Sequence, residues 1–262
     1  MIRLVHGDSF NLIKKLNNNS INLVMTDVPY PDMMVHDGVS AIVPSERWID
    51  WFRPMAEEIL RILKFTGSFV TTFNSKRDRA VFFRWVNDMT GLGFHYVLTH
   101  YWVKKNIIPG SISKMRFPRD GVDFIAHFSK TPQYSADLTR VPDWSAYNHA
   151  THVPTNLIYA SVRDDKSYWK ARKLTGIDHT GKYPSAIPRL FIQMLTAELD
   201  CVLDPFNGTG TVTLTAEQLG RQSIGLEKNP QNIRLSKVIY RLEDVSFKHI
   251  SRKSLRLSPL AT

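Results

Sequence analysis

Asp27, Val28, Pro29 and Tyr30 put a carboxylate, a rigid turn and an aromatic ring in consecutive positions, directly after the apolar run Ile21 to Met25. Such a carboxylate can accept hydrogens, and such a ring can stack on a planar ligand. A second stretch, Asp204-Pro205-Phe206-Asn207-Gly208-Thr209-Gly210-Thr211, follows the apolar residues Val202 and Leu203. Gly208 and Gly210 let the backbone turn tightly and bring a ligand against bare N–H groups, which a side chain would hold off. Thr211 to Gly220 then has a helical apolar rhythm, so the junction reads as strand, glycine turn and helix. About twenty residues further on, Ile224-Gly225-Leu226-Glu227 ends in an acid, where nucleoside-binding α/β folds keep the carboxylate that accepts ribose hydroxyls. The pair predicts a nucleoside ligand. Thr213 stands where a dinucleotide fingerprint wants a third glycine, so a dinucleotide is disfavoured. Each stretch taken alone is also compatible with an ordinary packing turn.

The elements that must position these residues alternate along the chain. Ile2 to Val5 reads as a strand, Ser9 as the cap of a short helix through Leu16, and Ile21 to Met25 as a buried strand. Asp32 to Pro44 has no usable period and reads as a loop over the end of that strand. Ser45 to Lys64 is an amphipathic helix whose Trp48, Trp51, Phe52, Met55, Ile59, Leu60 and Leu63 are core. Gly67 to Phe73 is a strand, Lys76 to Met89 a helix, and Phe94 to Val103 and Val122 to Phe128 are strands. Thr131 to Lys182 lacks periodicity, and a stretch that long inside a compact domain is usually functional. A helix opens at Tyr183-Pro184-Ser185-Ala186-Ile187-Pro188 and runs to Thr196, with prolines tolerated in its first turn. Asn229 to Leu242 is the last helix, and a frayed basic tail begins at Phe247. This alternation predicts an α/β fold with a mainly parallel sheet.

The chain's 262 residues, 43% of them hydrophobic, suffice for one large α/β domain with a real core. Its 34 basic against 24 acidic side chains give a net charge of +10, which suits a polyanionic partner such as nucleic acid. The basic character is local. Lys104, Lys105, Lys114, Arg116 and Arg119 occur without an intervening acid, flanked by Trp102 and Phe117. Arg163, Lys166, Lys170, Arg172, Lys173 and Lys182 form a second cluster. Both suit phosphate and base contacts, as they also suit a solvated loop. Cys201 is the only cysteine, which excludes a disulfide framework and fits a reducing cytoplasm. No secretory core opens the chain and no apolar run reaches the ~18 residues of a membrane span, which predicts a soluble cytoplasmic protein. His149 and His152 lie close in sequence without a cysteine or carboxylate cluster, so no metal is expected.

Read together and in order, Asp27-Val28-Pro29-Tyr30, the Tyr183 to Pro188 run and Asp204 to Thr211 resemble the bacterial and phage DNA amino-methyltransferases of the permuted β class. In that class the catalytic motif precedes the cofactor-binding one, and the likeness spans roughly Ile2 to Leu242. The resemblance implies a circularly permuted Rossmann-like fold, with a catalytic half at 1–103, a basic target-recognition insertion at 104–182 and a cofactor-binding half at 183–246. Residues 247–262 form the tail. It implies S-adenosyl-L-methionine as methyl donor and DNA as partner, with a homodimer as an expectation because relatives often pair. Carried over by position, the backbone of Phe206, Asn207, Gly208, Thr209 and Gly210 and the hydroxyl of Thr211 would hold the methionine moiety, assisted by Lys182, Pro184 and Ser185, with Asp204 and Pro205 in the same cofactor-binding stretch. Glu227 binds the ribose, and Asp8 and Ser9 approach the donor's adenine. Asp27 to Tyr30 is the catalytic loop, with Val28 where the family has proline and Tyr183 where it has histidine.

The chemistry accounts for these residue types. An exocyclic base amine is a poor nucleophile because its lone pair is delocalised into the ring. Two acceptors, the Asp27 carboxylate and the Val28 carbonyl, would hold its hydrogens and free that pair. The base must be flipped from the duplex, and Tyr30 is placed to stack on it. Asp27, where serine would suggest cytosine, points to adenine N6 over cytosine N4. RNA, a protein glutamine, and a DNA-binding protein with a decayed catalytic loop are the alternatives.

Overall fold

A computed structural model describes residues 1–32, 43–75, 78–105, 120–147, 154–161, 166–178 and 184–250. Among these described residues nine strands form one sheet: β1 (Ile2–His6), β2 (Ile21–Asp27), β3 (Leu63–Phe73), β4 (His95–Lys104), β5 (Val122–Ser129), β6 (Leu157–Ala160), β7 (Cys201–Asp204), β8 (Gln222–Glu227) and β9 (Phe247–Ile250). Their order across the sheet is β6-β4-β5-β3-β2-β7-β8-β1-β9. Every neighbouring pair is parallel except those of β5, which runs antiparallel to β3 and β4. Near-continuous apolar runs such as Leu23-Val24-Met25 are what a strand covered on both faces requires.

The helices supply the two covers. On one face, α1 (Ser9–Leu12), α2 (Ser45–Ile62) and α3 (Val81–Gly91) pack an aromatic core in which Trp48 stacks on Phe52 and meets Trp85 edge-on. In α2 the buried positions Trp48, Phe52, Met55, Ile59 and Ile62 repeat at helical spacing. Each such side chain taken from water contributes roughly 2 kcal/mol before its entropy cost. On the other face lie α4 (Lys166–Thr175), α5 (Ala186–Leu195), α6 (Thr211–Gln218) and α7 (Pro230–Leu242), over Met25, Val70, Ile125 and Val202 near α5 and over Ile2 and Leu4 near α7.

This arrangement creates a switch point. From β2 the chain crosses through α2 to β3 on one side, while from β7 it crosses through α6 to β8 on the other. The ends of β2 and β7 therefore open a crevice of the kind in which open α/β sheets bind ligands.

Several local expectations are corrected. The cap of α1 is Asp8, whose carboxylate accepts from the Phe10 amide, whereas the Ser9 hydroxyl donates to the Pro205 carbonyl. α2 stops at Ile62 because Leu63 is already extended, and α3 begins at Val81, after a turn in which Asp78 accepts from the Ala80 amide. The aperiodic stretch holds β6 and α4, the latter packed against α7 through Tyr168 and Ala171. The tail does not fray at once: Phe247 to Ile250 pair with Ile2 to Val5 as an edge strand.

Candidate active site

Asp27 ends β2, where register sets it beside Thr72 of β3, and the Thr72 hydroxyl donates to its carboxylate. The Tyr30 hydroxyl bonds the same carboxylate. Burial pushes the Asp27 carboxyl up to about 7, an effect that these two hydrogen bonds and Lys104 oppose and that Asp123 reinforces. Burial and the adjacent Asp27 likewise raise the Tyr30 hydroxyl well above its ordinary range. The loop between them is anchored twice. The Val28 side chain is buried in the aromatic core, and the Pro29 carbonyl accepts the Trp48 indole N–H at 2.7 Å. The Asp32 amide donates to the Val43 carbonyl and its carboxylate accepts from the Ser45 amide, and residues 33–42, expected as a loop, lie outside the described residues.

Tyr30, expected to stack on the flipped base, is bonded to the Asp27 carboxylate, with its ring 6.4 Å from that of Phe73.

Across the switch point, β7 delivers Asp204. Its carboxylate accepts from the Thr26 hydroxyl at 2.7 Å and the Phe206 amide at 3.0 Å, and burial, with Asp27 and Glu227 nearby, raises it to about 7. The turn that follows depends on glycine. Gly210 has φ of 86° and caps α6 with no side-chain hydrogen bond, and a Cβ there would lie 2.1 Å from the Tyr240 hydroxyl. A Cβ on Gly225 would strike Asn207 at 2.2 Å. Glu227 fixes the turn from β8, accepting from the Gly208 and Asn229 amides, both at 2.7 Å. Asp8 and Ser9 lie next to it, since β1 pairs with β8 and His6 faces Glu227. Pro184 is buried just before α5, and Ser185 opens that helix without a side-chain cap.

A positively charged nucleoside with a carboxylate fits these residues. The uncapped start of α6 suits an anion, and Asp204 and Glu227, which repel one another, suit a cation. Among the described residues no cluster of metal-binding type occurs.

The basic residues separate. Lys104 turns inward, its ammonium 2.8 Å from the Asp123 carboxylate and 5.5 Å from the Trp102 ring centre. Lys105 is exposed at the end of β4. Lys166, Lys170 and Lys173 are exposed on α4 beside Trp169, over which the Arg172 guanidinium stacks at 5.3 Å while pairing with Asp178 at 2.8 Å. Lys114, Arg116, Arg119, Arg163, Lys182, Tyr183, His149 and His152 lie outside the described residues.

Sequence reasoning missed Thr26, Thr72 and Asp123, which had no signal beyond being polar in apolar strands, and Asn74, which directly follows β3. It also read Trp51 only as core. In the fold Trp51 packs against Phe10 and stacks on Phe206 at 6.3 Å, forming an aromatic wall beside the glycine turn.

Residues 21–238 match a family described as DNA methylase, of the N6/N4 type. The type II methyltransferase M.PvuII of Proteus hauseri is 28% identical over 275 residues, covering 88% of this chain and 81% of the relative. The solved PvuII DNA methyltransferase, titled cytosine-N4-specific, superposes with a TM-score of 0.79 over 97% of this chain and 89% of that one. The DNA adenine methyltransferase YhdJ of Escherichia coli (strain K12) is 27% identical over 248 residues, 88% of this chain and 80% of its own. A putative DNA modification methylase of Thermus thermophilus, solved with S-adenosyl-L-methionine, shares the fold at 20% identity and a TM-score of 0.63, over 95% of this chain and 100% of that one. With a carboxylate loop and a glycine turn meeting at one switch point, and with that match running through both, this chain belongs to the N6/N4 DNA methylase family.

Proposed function

We propose that the protein transfers a methyl group from S-adenosyl-L-methionine to the exocyclic N6 of an adenine flipped out of duplex DNA. The observation that carries this reading is the adjacency of Asp27 and Asp204, the last residues of two strands paired through Leu23–Val202 and Val24–Leu203. That pairing lets a base amine at Asp27 and a donor on the Gly208 turn meet.

When bound, the donor supplies an electrophilic methyl on a sulfonium. The uncapped amides at the start of α6 hold its carboxylate, Glu227 takes the ribose hydroxyls, and Asp204 offsets the positive charge. Asp27 and the Val28 carbonyl accept the two amine hydrogens, so that the nitrogen lone pair leaves the ring system and points at the methyl. As the N–C bond forms and the C–S bond breaks, a neutral thioether departs and Asp27 takes the proton lost by nitrogen. A carboxyl raised to about 7 is suited to that acceptance near neutrality. Tyr30 must exchange its bond to Asp27 for a stacking contact when the base arrives.

DNA is held by the exposed lysines of α4 and by the basic segment that begins at Lys105, so that 104–182 acts as the target-recognition insertion between a catalytic half at 1–103 and a cofactor half at 183–246. A second reading is cytosine N4, favoured by the likeness to the cytosine-specific PvuII enzyme. Asp27 weighs toward adenine, because its charged acceptor replaces the hydroxyl expected for cytosine.

Modified-base sequencing of DNA from cells expressing the protein decides between them. N6-methyladenine at a defined site is the expected result, and N4-methylcytosine transfers the proposal to the second reading. Label passing only to RNA or protein overturns both.

A further inference from the structure

The registers of β2, β3, β5 and β4 place a row of polar side chains on one face of the sheet. Asp27 stands beside Thr72, Thr72 opposite Ile125, and Asp123 opposite Trp102, while side chains two apart on a strand share a face. Asp27, Thr72, Asn74, Asp123 and Lys104 therefore continue, at the carboxyl ends of β2, β3 and β4, the face that Met25, Val70, Ile125 and Trp102 occupy in the core.

Asn74, Asp123 and Lys104 form one network within that row. The Asn74 amide donates to Asp123 Oδ1, and the Lys104 ammonium donates to the same oxygen at 2.8 Å. The Asp123 side chain is 5% exposed and that of Lys104 20%. Burying such a pair gives little stability against an apolar alternative of the same shape, so its retention calls for another use. The network orients Asn74, which directly follows β3, the strand paired with that of Asp27. Asn74 is partly exposed, two residues beyond the partner of Asp27, and its bond to Asp123 fixes which side of the amide carries nitrogen. One amide hydrogen is used there, which leaves the second.

We infer that Asn74 reads the ring nitrogen next to the amine of the extruded base, donating its second amide hydrogen, with Asp123 and Lys104 as positioning residues. The inference rests on the methyltransferase reading of the site. In both amino bases the atom beside the C–NH2 carbon is a bare acceptor nitrogen, whereas in both keto bases that atom carries a hydrogen. An acceptor at Asp27 followed by a donor at Asn74 reproduces the order that a complementary base presents to the Watson–Crick edge. A keto base would set oxygen against carboxylate and N–H against N–H. Amino bases are thus selected before any chemistry begins.

The test uses duplexes carrying the methylation site with either adenine or 1-deazaadenine as target; the analogue keeps the amine but has C–H in place of the ring nitrogen. The unaltered protein is expected to lose roughly 10- to 100-fold in kcat/KM on the analogue, the usual cost of an unpaired buried donor. Asn74→Ala is expected to turn over both substrates equally slowly while binding donor as before, and Asp123→Asn to fall between. Equal rates of the unaltered protein on both duplexes overturn the inference, as does full discrimination by an Asn74→Ala variant that still binds donor. Cytosine and 3-deazacytosine duplexes are run alongside, so that discrimination is read on whichever base receives the methyl. Absence of transfer to any of the four defeats the methyltransferase reading itself.

Discussion

The Thr72 hydroxyl donates to the Asp27 carboxylate between two parallel strands whose register sets these residues side by side. This bond opposes the burial that raises Asp27 to about 7, so its removal lifts the carboxyl further. Asp27 accepts only when ionised, so activity rises with pH through its pKa. In Thr72→Val the rising limb of the single-turnover pH profile is expected to move to higher pH, and Thr72→Ser to restore it. An unmoved limb in the valine variant removes Thr72 from this role.

Asp27→Ala deletes the acceptor but leaves β7, β8 and the glycine turn intact. Methyl transfer is expected to fall by at least 100-fold, within the range general-base groups contribute. Calorimetric titration with the donor should give unchanged affinity. Equal turnover by the variant excludes Asp27 from the mechanism.

Asp204, raised by burial to about 7 from an ordinary 3.8, binds a proton in the folded chain that the unfolded chain has already released between those values. Stability contributed by this group is therefore full below about 4 and is lost as pH rises toward 7. Asp204→Asn keeps an oxygen for Thr26 and Phe206 without the charge. Its denaturation midpoint at pH 8 is expected to exceed that of the parent, with the gap closing by pH 4, while donor affinity falls. Parallel midpoint curves from pH 4 to 8 contradict this assignment.

Glu227 holds the Gly208 and Asn229 amides, one on each carboxylate oxygen. Glu227→Gln turns an NH2 group toward one of them and removes a charged acceptor from the ribose. A loss of about 1–3 kcal/mol in donor binding is expected, seen as a weaker Kd, with the rate at saturating donor little changed. A lower kcat at unchanged Kd places Glu227 elsewhere in the reaction.

Lys166, Lys170 and Lys173 are exposed on α4. If each meets a phosphate, their joint change to alanine lowers the slope of log affinity for DNA against log salt by about 3, since one contact contributes roughly 0.9. Donor affinity should not move. A salt slope identical to the parent's assigns DNA contact to other segments.

Much of this molecule was legible in local pattern. The apolar runs ending in Asp27, Asp204 and Glu227 marked strand ends, and the glycines at 208 and 210 marked a turn whose need for glycine is confirmed by the Tyr240 hydroxyl packed against Gly210. The helix of Trp48, Phe52 and Ile59 was equally plain, because its burial repeats at the helical period. Helix α4 was hidden, since only Tyr168 and Ala171 are buried in it and basic residues fill the rest. β9 was hidden because a short edge strand needs one partner and little apolar content.

By itself the sequence determined the α/β alternation, the glycine turn and the residue types able to hold a nucleoside and polarise an amine, for each depends on neighbours within a few positions. Tertiary structure alone decided that Asp27 and Asp204 end neighbouring strands at one switch point, that Thr72 bonds Asp27, and that Asn74 and Lys104 both bond Asp123. The reason is physical: strand order and register are settled by the packing of whole faces, and a register fixes which side chains touch across distances in the chain that no local period records.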